Sequence, residues 1–229
     1  MTVTIPEPAK ERLLRILRIL EGPEWAAKDG DNEVYSTDRN YTSAELEALT
    51  GWPSHTIRKD ISFLVKQDQD EEEETGRPYA GTFSGYSPRT LVPLIKEALG
   101  LSRKRTFCIV GLGRLGSAYL NLGSSALGEF ELAAGFDINV NRVEILKSPV
   151  PLYPAYKMGD VIRRLGIEIA LLCVPAEAAQ TATEKLVAAG IRGILNFAPV
   201  ILTLPPGSAA VRNVYVADEL RALAINLGV

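Results

Sequence analysis

The sequence predicts an α/β chain in two parts, a helical N-terminal half and a C-terminal parallel sheet covered by helices on both faces. Three observations carry this. Apolar residues recur at helical spacing through residues 1–100, and from Arg105 onward short apolar runs alternate with helical stretches. At the first such alternation stands Gly111-Leu112-Gly113-Arg114-Leu115-Gly116, a G-x-G-x-x-G hexapeptide. A length of 229 residues, 46% hydrophobic and 23% charged, suits two ordinary domains with buried cores. The net charge of −3 excludes the wholesale basic character common among nucleic-acid binders, though not a local basic patch.

The N-terminal half begins with a helix over 6–20. Its broad apolar face is Leu13, Leu14, Ile16, Leu17, Ile19 and Leu20, with Arg12, Arg15 and Arg18 on the other side. Gly22-Pro23 ends it. A short helix then runs to about Leu49, capped by Thr42 or Ser43 with Glu45 or Glu47 in its first turn. Gly51-Trp52-Pro53 breaks the chain, and Ser54 caps a second helix through Ile57, Ile61 and Leu64. Two helices joined by a glycine-bearing turn, the second studded with His55, Arg58 and Lys59, outline a helix-turn-helix. An ordinary helical hairpin with a solvated basic face has the same pattern. Six acidic residues within 68–74, followed by Thr75-Gly76-Arg77-Pro78, read as a solvated loop. Gly85-Tyr86-Ser87-Pro88 leads into a last helix over 89–99, and the domain boundary falls near 101–104.

In the C-terminal half, 106–110, 130–136, 167–174 and 193–197 are apolar runs of strand length, separated by stretches such as the helical 177–189. Such alternation indicates a Rossmann-like parallel sheet. The glycine hexapeptide follows the first strand and opens the helix 114–120, the context in which it binds a dinucleotide pyrophosphate. Gly111 permits the tight turn, Gly113 lets backbone approach phosphate, and Gly116 lets the helix pack closely on the strand. Asp137 ends the second strand, 21 residues after Gly116, where a carboxylate accepts from the adenosine ribose hydroxyls. A carboxylate there repels a 2′-phosphate, and Ile138 and Asn139, not an arginine, follow it, so NAD(H) is expected rather than NADP(H). Arg114 and Leu115 belong to the same loop. The ends of two later strands, Val174-Pro175 and Asn196-Phe197-Ala198, are further candidate contacts because ligands lie over strand carboxyl ends. Simple strand termination is the competing reading for them.

No catalytic constellation emerges. The only histidine, His55, lies in the helical half. Tyr153 and Lys157 match a Tyr-x-x-x-Lys pair, but too early in the chain to reach the nicotinamide half of such a sheet. Cys108 and Cys173 read as buried core residues without companions for a metal. The N-terminus lacks signal-peptide character and no apolar run approaches the roughly 18 residues of a membrane span, so a cytoplasmic protein is expected.

Several blocks recur together in one known family. They are Ile5-Pro6-Glu7 with the helix ending Leu17-Arg18-Ile19-Leu20, then Arg58-Lys59-Asp60-Ile61-Ser62 and Gly85-Tyr86, then Val174-Pro175-Ala176-Glu177-Ala178-Ala179. Gly190-Ile191-Arg192-Gly193-Ile194-Leu195-Asn196-Phe197-Ala198-Pro199 and Val211-Arg212-Asn213-Val214 complete the set. With these the chain resembles the Rex redox-sensing transcriptional repressors, which join a winged helix to a Rossmann domain. The resemblance implies a winged helix-turn-helix DNA-binding domain at 1–102, a Rossmann NAD(H)-binding domain at 103–213 and a C-terminal helix at 214–229, domain-swapped in a homodimer. It also implies release of palindromic operator DNA when NADH binds. Ser54, His55, Thr56, Arg58 and Lys59 would contact DNA, with Arg77 as the wing's basic contact. The family's switch aspartate is replaced by Tyr215 and its tyrosine partner by Leu122, and the wing is expanded by the acidic run. A paralogue with weakened operator binding or redox discrimination, and a dehydrogenase, are the alternative readings.

Overall fold

The computed structural model describes residues 5–22, 39–68, 81–82, 85–121 and 127–227. Contacts divide the chain into two units, Met1–Arg103 and Lys104–Val229.

The first unit comprises α1 (Glu7–Glu21), α2 (Ser43–Thr50), α3 (Ser54–Asp68), β1 (Gly81–Thr82), β2 (Gly85–Tyr86) and α4 (Pro88–Ala98). Leu13, Ile16, Leu17 and Leu20 of α1 meet Leu46, Ile57, Ile61, Leu64, Leu91 and Ile95 in one core. Burying each such side chain contributes about 1.5–3 kcal/mol. Leu14, expected on the same face, is 53% exposed, so the buried stripe is narrower than the sequence suggested. Thr42 is the N-cap of α2 and forms a capping box with Glu45. Gly51 ends α2 in the left-handed region, φ 77°, where a side chain would be strained. Ser54 does not cap α3 as expected. It is the first helical residue, and its amide donates to the Glu47 carboxylate at 3.0 Å. β1 and β2 pair antiparallel, and Tyr86 exchanges backbone hydrogen bonds with Tyr41. Helix-turn-helix plus hairpin is a winged helix.

Arg12 points its guanidinium at Asp60 of α3, Nε to Oδ2 at 2.6 Å and Nη2 to Oδ1 at 2.9 Å. Asp60 is 1% exposed. A carboxylate that deep is tolerated because a bidentate arginine replaces its lost hydration. Arg15 lies over the Trp52 ring at 5.6 Å. Two of the arginines on the side opposite the apolar face thus fasten α1 to the helix-turn-helix.

The second unit holds β3 (Arg105–Val110), α5 (Arg114–Leu120), β4 (Phe130–Asp137), α6 (Val140–Ile145), β5 (Leu152–Pro154) and α7 (Met158–Leu165), then β6 (Ile169–Leu172), α8 (Ala176–Ala189), β7 (Gly193–Asn196), β8 (Ala210–Asn213) and α9 (Val216–Asn226). The six strands are parallel in the order β5-β4-β3-β6-β7-β8. This is a Rossmann sheet, and the chain reverses direction across it between β3 and β6. Successive residues of β3 enter opposite cores: Cys108 and Val110 join Phe136, Val161, Ile162 and Leu186, while Phe107 and Ile109 join Leu112 and Leu120. Both faces of the strand are dry, as parallel sheets require. β5, α6, α7 and β8 had no counterpart in the sequence reading. Among the described residues, no helix is long and apolar enough to cross a membrane.

Removing the Arg12 side chain leaves the Asp60 charge buried without a partner, so Arg12→Ala is expected to cost the first unit about 3–5 kcal/mol. Both tryptophans, Trp25 and Trp52, lie in that unit, so denaturant unfolding followed by tryptophan fluorescence reads it selectively. A loss below about 1 kcal/mol would mean that water already shares the Asp60 site.

Candidate functional site

A crevice of about 1000 Å³ opens over the carboxyl ends of β3, β4 and β6, at the reversal point of the sheet. Gly111, Gly113, Leu115, Asp137, Val174, Pro175 and Phe197 line it, as does Cys173. Of the residues expected from sequence, Arg114, Gly116, Asn196 and Ala198 are not part of this lining. Ile138, Arg142, Tyr156 and Lys185 line it without having been expected.

Two of the three glycines have a steric reason within the protein. Gly111 turns the chain at φ 91°, and a Cβ there would come within 2.6 Å of the Cys173 carbonyl oxygen at the end of β6. A Cβ on Gly116 would overlap the Gly111 carbonyl oxygen, so only glycine lets α5 lie so close on the loop. Gly113 has no atom near its missing Cβ and looks onto open space.

Asp137 is 4% exposed and uses both oxygens. Oδ2 accepts from the Leu112 amide at 2.7 Å, Oδ1 from the Asn139 amide at 2.7 Å, and Arg142 Nη1 donates to Oδ2 at 3.1 Å. The carboxylate therefore ties the glycine loop to the end of β4. Arg142 belongs to α6, whose N-cap Asn139 accepts from the Arg142 amide at 3.2 Å. That short helix turns the arginine back toward the strand end. Only the two residues after Asp137 were weighed in the sequence, and the cation arrives five positions on.

Asn196 is fully buried and its amide is committed inside the protein. Its Nδ2 donates to the Val200 carbonyl and to Asn213 Oδ1, each at 2.9 Å, and its Oδ1 accepts from the Ala198 amide at 2.9 Å. Tyr215, at the start of α9, donates its hydroxyl to the same Val200 carbonyl. Asn196 thus frames the strand end while the next residue, Phe197, faces the crevice and lies 5.3 Å from the Tyr119 ring. Tyr153 and Lys157 do not form a dyad. The Tyr153 ring stacks on Phe136 and its hydroxyl accepts from Arg164, whereas the Lys157 ammonium sits over Tyr156.

In the first unit, α3 buries Ile57, Ile61 and Leu64 and turns Asp60 inward onto Arg12. His55, Arg58 and Lys59 are exposed, and Ser54 and Thr56 are half-buried. Arg58 reaches Ser43 of α2 at 3.4 Å. Asp60 is the only acidic residue between Ser54 and Ser62, so its withdrawal leaves the outward face of that part of α3 basic although the chain is acidic overall. Arg77, Leu122 and nearly all of the acidic run lie outside the described residues.

A winged helix with a basic helix face, followed by a Rossmann unit with a glycine-lined crevice, defines a nucleotide-fold sensor joined to a DNA-binding module. Residues 102–200 match the family model described as CoA binding domain. The chain is 38% identical over 222 residues to the redox-sensing transcriptional repressor Rex of Thermus thermophilus, covering 92% of this chain and 88% of that protein. To the Rex of Ligilactobacillus salivarius it is 32% identical over 224 residues, covering 96% and 93%. RSP, a Rex-family repressor, has been solved with NAD⁺ and operator DNA (TM-score 0.77, 28% identity, 98% of this chain and 93% of that one). Its complex with NADH aligns at TM-score 0.75 and 29% identity over 98% and 95% of the two chains. The chain belongs to the Rex family of redox-sensing transcriptional repressors.

Cys108 is buried as expected, whereas Cys173, read from sequence as a core residue, is half-buried at the end of β6 and lines the crevice. Burial raises the Cys108 pKa, and burial pushes Cys173 up to about 12. The thiolate is the charged, reactive form, so both remain protonated near neutral pH. Iodoacetamide should therefore leave both unmodified in the folded protein near neutral pH and label both on unfolding, as read by mass spectrometry. Stoichiometric labelling of folded protein near neutral pH would contradict the burial of Cys108 or the raised pKa of Cys173.

Proposed function

We propose that this chain is an NAD(H)-responsive repressor that binds palindromic operator DNA as a homodimer and is released when NADH binds. The observation that carries this is the presence on one chain of an exposed basic α3 in a winged helix and a glycine-lined crevice over a Rossmann reversal point. The amides of the Gly111–Gly116 loop, with Arg114 and Leu115, hold the pyrophosphate. Asp137 accepts from the adenosine ribose, and Val174, Pro175 and Phe197 pack along the dinucleotide, framed by Asn196 and Ala198. Ser54, His55, Thr56, Arg58 and Lys59 contact the major groove and its phosphates, with Arg77 on the wing.

α9 and its C-cap expose Val216, Leu220, Leu223, Ile225 and Leu227, each more than half exposed. A run of large apolar residues on one helix suits burial against a second copy of the chain. Two recognition helices must be spaced by about one turn of DNA, roughly 34–36 Å, or a multiple of it, to read both half-sites. A ligand that changes this spacing acts by binding the two arrangements unequally, and a full swing needs a preference of roughly 10⁴-fold. The chain works in the cytoplasm, beside its DNA, as a regulator and not an enzyme. The acidic run at 68–74 favours a second reading, a paralogue whose wing is repelled by phosphate and whose operator affinity is weakened.

Gel shift of the full chain on a palindromic operator, titrated with NADH and NAD⁺, tests the function. Specific binding abolished by NADH is expected, and absence of a specific complex at moderate salt would leave the paralogue reading. Arg58→Ala and Lys59→Ala should each weaken operator binding and lower the salt slope by about one for each phosphate contact removed. Asp137→Asn keeps the shape but exchanges an acceptor oxygen for a donor. Calorimetry should show NADH binding weakened about tenfold or more, as for a hydrogen bond to a charged group. Unchanged affinity would remove Asp137 from the ribose site.

A further inference from the structure

We infer that Tyr215 is a positioning residue for operator release: its hydroxyl fastens the root of α9 to the crevice wall at Val200, so a ligand pressing on Phe197 is felt where α9 begins. The inference rests on the repressor reading given above.

An N-cap position favours Ser, Thr, Asp or Asn, whose short side chains accept from the first helical amides. Tyr215 holds that position in α9 and makes no side-chain cap. Its carbonyl accepts from the Asp218 and Glu219 amides at 2.9 and 3.2 Å, which ties its backbone to the first turn. Its hydroxyl is directed elsewhere. It donates to the Val200 carbonyl, and Asn196 Nδ2 lies 3.5 Å from it. One residue therefore grips the helix with its backbone and the segment after β7 with its side chain.

That segment is a closed turn. Asn196 spans it, Nδ2 donating to the Val200 carbonyl and Oδ1 accepting from the Ala198 amide, each at 2.9 Å. The Val200 amide donates to the Ala198 carbonyl at 2.7 Å. Phe197 stands within this turn and lines the crevice, so ring and turn are displaced together. Toward α9, the Val214 amide donates to the Asn196 carbonyl and Asn213 Oδ1 accepts from Asn196 Nδ2, both at 2.9 Å. Those two contacts follow the β7–β8 edge, whereas Tyr215 reaches from beyond β8 to the far end of the turn. A tyrosine has two side-chain torsions and a rigid ring, so it passes on a shift of Val200 with little slack. Without the hydroxyl, the Val200 carbonyl keeps its bond from Asn196, so the turn itself survives.

Operator dissociation constants of the full-length protein, measured by fluorescence anisotropy without NADH and with saturating NADH, give a ratio that is the coupling. Wild type, Tyr215→Phe and Asn213→Ala are compared, with NADH affinity read by calorimetry and folding by thermal melting. Tyr215→Phe keeps the ring and removes one hydrogen bond. It should lower the ratio by about three- to tenfold while NADH affinity changes by less than about threefold. Asn213→Ala should lower the ratio by a smaller factor in the same direction. A ratio in folded Tyr215→Phe within about twofold of wild type overturns the inference, whatever happens to the melting temperature, because the bond then serves stability alone. Should Tyr215→Phe not fold, the same criterion applied to Asn213→Ala decides. If the wild-type ratio is itself near one, the repressor reading fails and the inference falls with it.

Discussion

The buried carboxylate of Asp137 holds the C-terminal site together. A charge that is 3% exposed survives only if hydrogen bonds replace its water, and the donors it recruits are the parts that shape the crevice. The Leu112 amide fixes the glycine loop, the Asn139 amide fixes the turn after β4, and Arg142 fixes α6. The loop in turn needs Gly111 and Gly116, since any side chain there would strike the end of β6 or the loop itself. Sheet order, glycine placement and electrostatics thus converge on one concave surface at the reversal between β3 and β6.

The N-terminal unit solves a similar problem with the opposite outcome at its surface. Asp60 sits amid the residues that would face DNA, where an outward carboxylate would oppose phosphate. The helical spacing that buries Ile57 and Ile61 also turns Asp60 inward, where Arg12 neutralises it. A buried pair of this kind is a weak source of net stability compared with an apolar replacement, because desolvation consumes most of the Coulomb gain. Its consequence here is the sign of the exposed face: the anion is withdrawn, and Arg58 and Lys59 remain.

What could be read from sequence follows from how local the physical cause is. The G-x-G-x-x-G loop was legible because the turn at Gly111 and the close approach of Gly116 to the Gly111 carbonyl lie within six residues, and the strands before and after it are continuous apolar runs. The helix-turn-helix was legible from 3.6-residue spacing broken at Gly51-Trp52-Pro53. β5 and β8, at the sheet edges and only three and four residues long, have too few residues for a period, and α6 buries none of its residues. Arg12–Asp60, 48 residues apart, and Asn196 with Asn213, 17 apart, depend on tertiary geometry that no local pattern encodes. Arg142 was within reach of a sequence argument. The missing signal was that a helix beginning at Val140 returns its third residue to the strand end.

The Asn196 cluster bears on how ligand and assembly are coupled. Phe197 forms part of the crevice wall, the adjacent Asn196 is anchored to Val200 and Asn213, and Tyr215 binds the same Val200 carbonyl one residue before α9 begins. The crevice wall and the exposed apolar helix therefore share one polar knot around the buried Asn196. A ligand can redirect α9 only if it has different affinity for two arrangements of the protein. Asn196, with its Nδ2 and Oδ1 committed, resists gradual distortion, because stretching the knot strands a buried polar group at a cost of about 1–3 kcal/mol. Such a connection favours two discrete states over a continuum. It also gives Tyr215 a role that an aspartate could not fill in the same way, since a carboxylate cannot donate to the Val200 carbonyl.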